Sequence, residues 1–128
     1  MRRMNSIVNA ALGSLLLLGV SQAFASTQEM LSACRPFTAA SVVNGVVTFP
    51  TTHDTGICWG YFTALQAVIV RANEKTGEML FGVCAPPNSR RSQLIVIFVG
   101  YAERRPERRH EPEFDVAMDA LRAAFPCR

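Results

Sequence analysis

The sequence lacks the short motifs that usually carry nucleotide or zinc chemistry. It has no glycine-rich phosphate loop, because Gly77 and Gly82 stand alone, and such loops are what cradle phosphates. It has no closely spaced cysteine pair either, since consecutive cysteines lie more than 20 residues apart. Structural zinc sites usually pair their ligands about two to four residues apart. These absences argue against a nucleotide-binding protein and against a zinc site.

The chain also lacks a strong charge of either sign. It has 13 basic and 10 acidic residues, and two of the arginines fall in the first 25 positions. Without that segment, 11 basic residues face 10 acidic ones, which is a formal charge of +1. Because nucleic-acid binding depends on an excess of clustered Lys and Arg, the composition gives no support for a nucleic-acid partner.

The N-terminus has the pattern of a cleaved signal peptide. Arg2 and Arg3 precede an apolar stretch at residues 11–20, and Ala23-Phe24-Ala25 has the small-x-small form that signal peptidase accepts. The apolar stretch is shorter than the about 20 residues that a membrane-spanning helix needs. We therefore expect cleavage before Ser26, with an uncleaved anchor as the alternative.

Cleavage there divides the chain into a signal peptide at residues 1–25 and a single domain at residues 26–128. The domain has no internal repeat and no low-complexity linker, and about 100 residues suffice for one modest core. No membrane contact is expected after cleavage. The short, arginine-containing leader suits export to a bacterial periplasm.

All the cysteines belong to the exported part. An even number of cysteines in an oxidising compartment predicts two disulfides. The cysteines are Cys34, Cys58, Cys84 and Cys127.

The first half of the domain contains two predicted helices. Ser26 and Glu29 have the spacing of a capping box, which opens a short helix that runs to Cys34. Apolar residues then recur at helical spacing over residues 55–75, with Gly77 suited to a C-terminal cap. The apolar face of this second helix comprises Trp59, Phe62, Leu65, Val68 and Ile69.

The last helix is predicted to begin at Pro112, a residue that suits the first helical position. Glu113 and Asp115 place negative charge in its first turn, which the helix dipole favours. Its apolar face comprises Phe114, Ala117, Met118, Leu121 and Phe125.

Residues 93–103 are ambiguous between helix and strand. Residues 94–99 are continuously apolar and rich in β-branched side chains, as in a buried strand. The same segment has a helical stripe, and Asn88 or Ser89 could cap a helix there. We favour a buried helix and keep the strand as the alternative. The stripe comprises Leu94, Ile97, Phe98 and Tyr101.

Residues 37–56 form a long connection with a hairpin motif at its centre. Asn44-Gly45 lies between two valine pairs, and this dipeptide favours a tight β-turn. Because two short strands alone are marginally stable, a hairpin and a structured loop are both open.

The fold class that follows is all-α: a small bundle of about four helices stapled by disulfides. Cys34 ends the first helix and Cys58 begins the second, while Cys84 and Cys127 lie at the outer ends of the last helix pair. An antiparallel pair brings such ends together. Of the three possible connectivities, we favour Cys34 with Cys58 and Cys84 with Cys127.

A catalytic cysteine is the main enzymatic alternative. Cys58 would need a nearby base such as His53 or His110 to act as a nucleophile. Use of all four cysteines in disulfides removes that nucleophile, so we expect no enzymatic activity, no cofactor and no metal. The basic run at residues 104–109 is interrupted and flanked by acidic residues, which is typical of a solvated turn. A patch for an acidic protein partner is the alternative.

Several short motifs occur together in the order found in one family of proteins. The chain resembles the Rap/Tai family of type VI secretion immunity proteins from about Leu31 onward. The motifs are Cys58-Trp59-Gly60-Tyr61, Cys84-Ala85-Pro86, Gln93-Leu94, Arg105-Pro106-Glu107, His110-Glu111-Pro112 and Ala124-Phe125-Pro126-Cys127.

The resemblance implies a small all-helical periplasmic protein that binds a peptidoglycan amidase delivered by a neighbouring cell. Such proteins block the active-site cleft of the amidase, often as homodimers, so the implied partners are that effector and a second copy. The binding residues are unknown at this point, and residues 37–56 or 75–89 are the exposed loops that could reach a cleft. A general periplasmic binding or chaperone-like module is the alternative function.

Overall fold

The computed structural model describes residues 25–76 and 79–128. Four α-helices and one two-stranded sheet form in this part of the chain, which confirms the expected all-α bundle with a small β addition. The signal peptide predicted at residues 1–25 lies outside the described residues except for Ala25, and the predicted cap Gly77 lies outside them too. The elements are α1 Thr27–Cys34, β1 Ser41–Val43, β2 Val46–Thr48, α2 His53–Thr76, α3 Arg91–Glu103 and α4 Glu113–Ala124, with 3-10 turns at Arg35–Ala39, Leu80–Gly82 and Pro106–Arg108.

Helix α1 begins with the expected capping box. The Ser26 hydroxyl accepts the Glu29 backbone N–H at 3.3 Å, and the Glu29 carboxylate accepts the Ser26 N–H at 2.8 Å. The next N–H, that of Thr27, donates to the carbonyl of Glu111 at 2.9 Å. The start of α1 is therefore bonded to the turn between α3 and α4.

Helix α3 is the central element, and the helix alternative for this segment is confirmed. It packs against α1, α2 and α4, so nearly its whole circumference is apolar. This explains why its sequence also resembles a buried strand. The expected cap is wrong: the N-cap is Arg90 and makes no side-chain cap bond. Its buried side chains are Leu94, Ile95, Phe98, Val99 and Ala102.

Helix α2 buries one face against α1 and α3. Phe62, Leu65 and Ile69 are buried as expected, and Trp59 is half-buried. The expectation for Val68 is wrong, since 55% of its surface is exposed. Val68 follows the buried Leu65 by three positions, and the contact stripe continues through Ile69 instead.

Helix α4 begins one residue later than expected, with Pro112 as the N-cap. Phe114 does not join the core but meets Phe81 edge to face at 5.5 Å between ring centroids. The buried face of α4 comprises Val116, Ala117, Met118, Ala120 and Leu121.

Two disulfides join the helices in the favoured pairing. Cys34 is bonded to Cys58, which links the end of α1 to the start of α2. Cys84 is bonded to Cys127, across the outer ends of α3 and α4. The Cys84 N–H also donates to the Phe125 carbonyl at 2.9 Å, so backbone pairing accompanies the second disulfide.

Candidate protein-binding surface

The residues considered for catalysis do not form a reactive site. Cys58 is fully buried and its sulfur is bonded to Cys34, so no thiol is left to activate. His53 is the exposed first residue of α2, and His110 is exposed in the turn before α4. Within residues 25–76 and 79–128, no group of three His, Cys, Asp or Glu side chains is placed to hold a metal ion.

No helix in the described part of the chain combines the length and apolarity that crossing a membrane requires.

The connection between α1 and α2 folds as a hairpin, which settles the choice between hairpin and loop. Strands β1 and β2 pair antiparallel, and we call them together the ribbon, residues 41–48. Asn44 and Gly45 both have positive φ, at 52° and 77°. Two consecutive left-handed residues match the right-handed twist of paired strands, which explains why Asn-Gly stands at this position.

The ribbon exposes valines on both of its faces. Directly opposed residues point to the same face of an antiparallel pair, so Val42 shares a face with Val47, and Val43 shares the other face with Val46. Their exposed fractions are 68% and 48% on one face, and 55% and 61% on the other. Neither face packs on the domain. The ribbon therefore projects into solvent.

The segment that carries the ribbon is free of charge. Residues 36–52 contain no Asp, Glu, Lys, Arg or His. Soluble proteins usually protect exposed strand edges with charged side chains, proline or a covering element. An uncharged ribbon with apolar faces is an exception to that practice, and such surfaces mark interaction sites.

Three aromatic rings pack together at the root of the ribbon. Phe37 and Phe49, which flank the two strands, lie 4.4 Å apart between ring centroids. Both stack on Trp59 of α2, at 5.8 and 5.7 Å. The guanidinium of Arg91, at the start of α3, lies 4.6 Å from the Trp59 ring centroid. These contacts attach the ribbon to two helices.

A covalent bond and a threonine cap complete the root. The Cys34–Cys58 disulfide closes the loop that contains the ribbon. Just after the ribbon, the Thr55 hydroxyl accepts the Thr52 N–H at 2.9 Å and donates to the Pro50 carbonyl at 2.8 Å. The ribbon is exposed, but its root is fixed from both sides.

The basic turn between α3 and α4 is more structural than its sequence suggested. Arg108 forms ion pairs with Glu111 at 2.7 Å and with Asp119 at 2.8 Å, and it donates to the Tyr101 hydroxyl at 3.1 Å. Hydrogen bonds from Arg108 hold the pKa of Glu111 below its ordinary value. Arg105 stacks on the Tyr101 ring at 3.7 Å from its centroid. The turn is thus solvated in part, while Arg108 joins it to α4.

Tyr61 is a buried polar group that the bundle leaves unsatisfied. Its hydroxyl is buried and has no hydrogen-bond partner among the described residues. Burial raises the pKa of Tyr61, and the negative charges of Glu113 and Asp115 raise it further. The side chain is therefore held in its neutral form.

The outward face of α2 is small and apolar. Gly60 has open space where a side chain would stand, and Ala64 is exposed one turn later. Ile57 and Val68 flank them with 46% and 55% of their surfaces exposed. The face carries no charge from residue 55 to residue 70. A small, apolar helix face of this kind suits close packing against another helix.

Sequence reasoning named residues 37–56 as one of two exposed loops that could reach a partner, but it did not show that valines would be exposed on both faces of the ribbon. The Asn-Gly turn was visible locally, whereas the exposure of all four valines depends on where the helices lie. The charge-free run over residues 36–52 was the available indication. The ion pair of Arg108 with Asp119 had no local indication, since Asp119 lies on the next helix.

The comparisons with known proteins give one match. No curated protein matches the chain, and no solved structure matches it. The family model described as Rap1a immunity proteins matches residues 26–127. That range includes all four helices, the ribbon and both disulfides. The chain therefore belongs to the Rap1a immunity protein family, as the motif order indicated.

Proposed function

We propose that the domain is a periplasmic immunity protein that binds and inhibits a peptidoglycan amidase effector, without catalysis of its own. The observation that carries the proposal is the family match over residues 26–127, which coincides with the folded bundle. Immunity proteins act on effectors, and an amidase is the target that the resemblance to the Rap/Tai family implies. The disulfides agree with a location beside the cell wall, since they form in oxidising compartments.

Rigidity supports inhibition by binding. The two disulfides and the fixed root of the ribbon mean that little chain remains to be ordered when a partner binds. Ordering entropy is a major part of what opposes association. A cross-linked frame that presents a preformed surface is therefore suited to a stoichiometric inhibitor.

A protection assay tests the function. Cys/His peptidoglycan amidases are each produced with an export signal in a host that also produces this chain, either complete or without residues 1–25. We expect the complete chain to prevent lysis by at least one amidase at equal expression. The shortened chain should not protect, because it stays where its disulfides do not form and where the amidase is absent.

The same host distinguishes the alternative function. A chaperone-like module would be recovered with many unrelated periplasmic proteins, whereas an immunity protein would be recovered with one amidase in a one-to-one complex. Lysis by every amidase in the presence of the complete chain would contradict the proposed function.

Signal-peptide cleavage and periplasmic location are part of the proposal. The family match begins at Ser26, and the Ser26 nitrogen already lies 2.8 Å from the Glu29 carboxylate. Cleavage before Ser26 would turn that nitrogen into an ammonium group beside a carboxylate, which is a favourable pairing. The intact mass of the exported protein should correspond to residues 26–128 with all thiols oxidised.

We also propose that the domain forms a homodimer through α2. The supporting feature is the uncharged outward face around Gly60 and Ala64, which would let two α2 helices approach closely. A helix of 24 residues is about 36 Å long, so two such helices can provide an extended, self-complementary contact around a two-fold axis.

A further inference from the structure

We propose that the Cys84–Cys127 disulfide is a site of reversible thiol–disulfide exchange, at which a low-molecular-weight thiol becomes bonded to Cys127 while the helical bundle stays folded. The Cys34–Cys58 disulfide is closed to the same chemistry. The inference goes beyond the proposed function and does not depend on which effector the domain binds, because it concerns a disulfide that is not part of the ribbon's root.

The first argument is that the two disulfides differ in their access to solvent. Cys34 and Cys58 are both fully buried, whereas Cys127 is exposed and Cys84 is half-buried. Exchange begins with the attack of a thiolate on a disulfide sulfur, so its rate depends on access to that sulfur. In the folded domain the Cys84–Cys127 bond has that access and the Cys34–Cys58 bond does not.

The second argument is where the two bonds lie in the fold. Cys34 ends α1, Cys58 lies near the start of α2, and both belong to the hydrophobic core. A thiol reaches that bond only after α1 separates from α2, and opening of core elements costs up to the full free energy of unfolding. Cys84 precedes α3 and Cys127 follows the end of α4, so both lie outside the helices and no helix has to move.

The exchange itself is a balanced substitution at sulfur. The incoming thiolate forms a bond to the Sγ atom of Cys127, the bond between Cys127 and Cys84 breaks, and the Sγ atom of Cys84 leaves as a thiolate that takes a proton from water. Cys127 then carries the added thiol as a mixed disulfide. One disulfide replaces another, so the thiol is the only co-reactant. The attack is assigned to Cys127 because it is the more exposed partner.

The third argument is that the backbone holds the two cysteines together after the bond is broken. Val83 pairs with Pro126 across an isolated β-bridge directly beside the disulfide, and the Cys84 N–H donates to the Phe125 carbonyl at 2.9 Å. The Cys84 thiol therefore stays next to Cys127 at a high effective concentration. It can attack the mixed disulfide, expel the added thiol and restore the original bond, which makes the exchange reversible.

The consequence is a domain with one permanent and one adjustable cross-link. The Cys34–Cys58 bond closes the loop that contains the ribbon and stays intact. Opening the other bond, which spans 43 positions, returns chain entropy to the unfolded state and lowers the stability of the domain. The stability of the domain, but not the attachment of the ribbon, therefore responds to thiols.

The test uses the exported protein with glutathione as the probe. The protein is incubated with increasing concentrations of reduced glutathione, free thiols are then blocked with an alkylating agent, and the state of each cysteine is determined by mass spectrometry of its peptides. Circular dichroism follows the helical content in parallel. The matched control is Cys84→Ser/Cys127→Ser, which keeps only the buried disulfide.

We expect glutathione on Cys127 and the alkylating agent on Cys84, with Cys34 still bonded to Cys58 and the helical content near its starting level. The Cys84–Cys127 bond should react at least on the order of 100-fold faster than the buried bond, whose exchange requires opening of the core. The melting temperature of the exchanged form should fall on the order of 15–30 °C. Removal of glutathione should restore the original disulfide, and the control should react only as fast as it unfolds.

Several results would overturn the inference. If both disulfides opened together with loss of helical content, access to solvent would not decide their order of reaction. Glutathione found on Cys84 would contradict the assigned point of attack, and a Cys84–Cys127 bond that reacts only when the domain unfolds would show that it is a structural cross-link alone. Fast reaction of the control would show that a thiol reaches the buried bond in the folded domain. None of these results bears on effector binding, which the protection assay measures separately.

Discussion

Replacing the second disulfide by Cys84→Ser/Cys127→Ser should lower the stability of the domain by about 4 kcal/mol. The bond joins residues 43 positions apart, and a cross-link of that span removes about 13 cal/mol/K of chain entropy from the unfolded state. At 25 °C this corresponds to about 4 kcal/mol, a large share of the roughly 5–15 kcal/mol that small domains possess.

The folded state should tolerate the change, because other contacts hold the same ends together. The Cys84 N–H donates to the Phe125 carbonyl at 2.9 Å, and Val83 pairs with Pro126 across an isolated β-bridge. Arg122 Nε donates to the Phe81 carbonyl at 2.8 Å. The substitution therefore acts mainly on the unfolded chain, and helicity at 20 °C should stay near the wild-type level.

Thermal melts followed by circular dichroism at 222 nm provide the measurement. For a domain of this size, about 4 kcal/mol corresponds to a fall in melting temperature on the order of 15–30 °C. The double replacement leaves no lone thiol at this site, so disulfide exchange does not complicate the result. A fall of less than about 5 °C would refute the reasoning, since it would mean that the cross-link does not restrict the unfolded ensemble.

Four further outcomes follow from individual side chains. Arg108→Gln should lower the melting temperature by about 5–10 °C, because it removes both ion pairs of the turn, whereas Arg104→Gln on the exposed side should change it by less than about 2 °C. Arg108 holds the pKa of Glu111 below the ordinary value of about 4.3. The stabilisation contributed by the charged Glu111 carboxylate is therefore present above that value and is lost as the pH falls through the lower native pKa. In urea titrations, the free energy of unfolding of Glu111→Gln should depend less on pH in the acid range than that of the wild type. Tyr61→Phe should leave the free energy of unfolding at pH 7 unchanged or raise it, since the hydroxyl has no partner among the described residues. Because the native pKa of Tyr61 is raised, the wild type should lose stability above about pH 10, and the variant should lose less. Gly60→Glu should convert a dimer to a monomer in light scattering. The fold should not change, because a side chain at this position meets open space in the single chain. A wild type that is already monomeric would contradict the α2 interface.

Local interactions explain what could be predicted from the sequence. The capping box of Ser26 and Glu29 and the Asn44-Gly45 turn depend on residues at most three positions apart, so their chemistry is visible in a short window. Helices α2 and α4 were predictable because each buries one face, which leaves a periodic apolar pattern. Val68 shows the limit of that pattern, since an apolar residue at the edge of the stripe can remain exposed.

A helix that is buried on nearly all sides does not show a one-sided apolar pattern in its sequence. Helix α3 is covered by three other helices, so its apolar residues follow no single face and its sequence is compatible with a strand. Only packing decides that it is a helix, and only the approach of α4 gives Arg108 its partner Asp119. These contacts join residues that the sequence separates.

The sequence by itself determined an even set of cysteines in a domain of helical character, a tight Asn-Gly turn and the order of motifs that marks the family. Each of these depends on residue identity and short-range spacing. The tertiary structure decided which cysteines meet, which apolar residues are buried, and that the ribbon stands clear of the bundle with valines on both faces. These features depend on the relative positions of distant elements, which are set by the packing of the whole core.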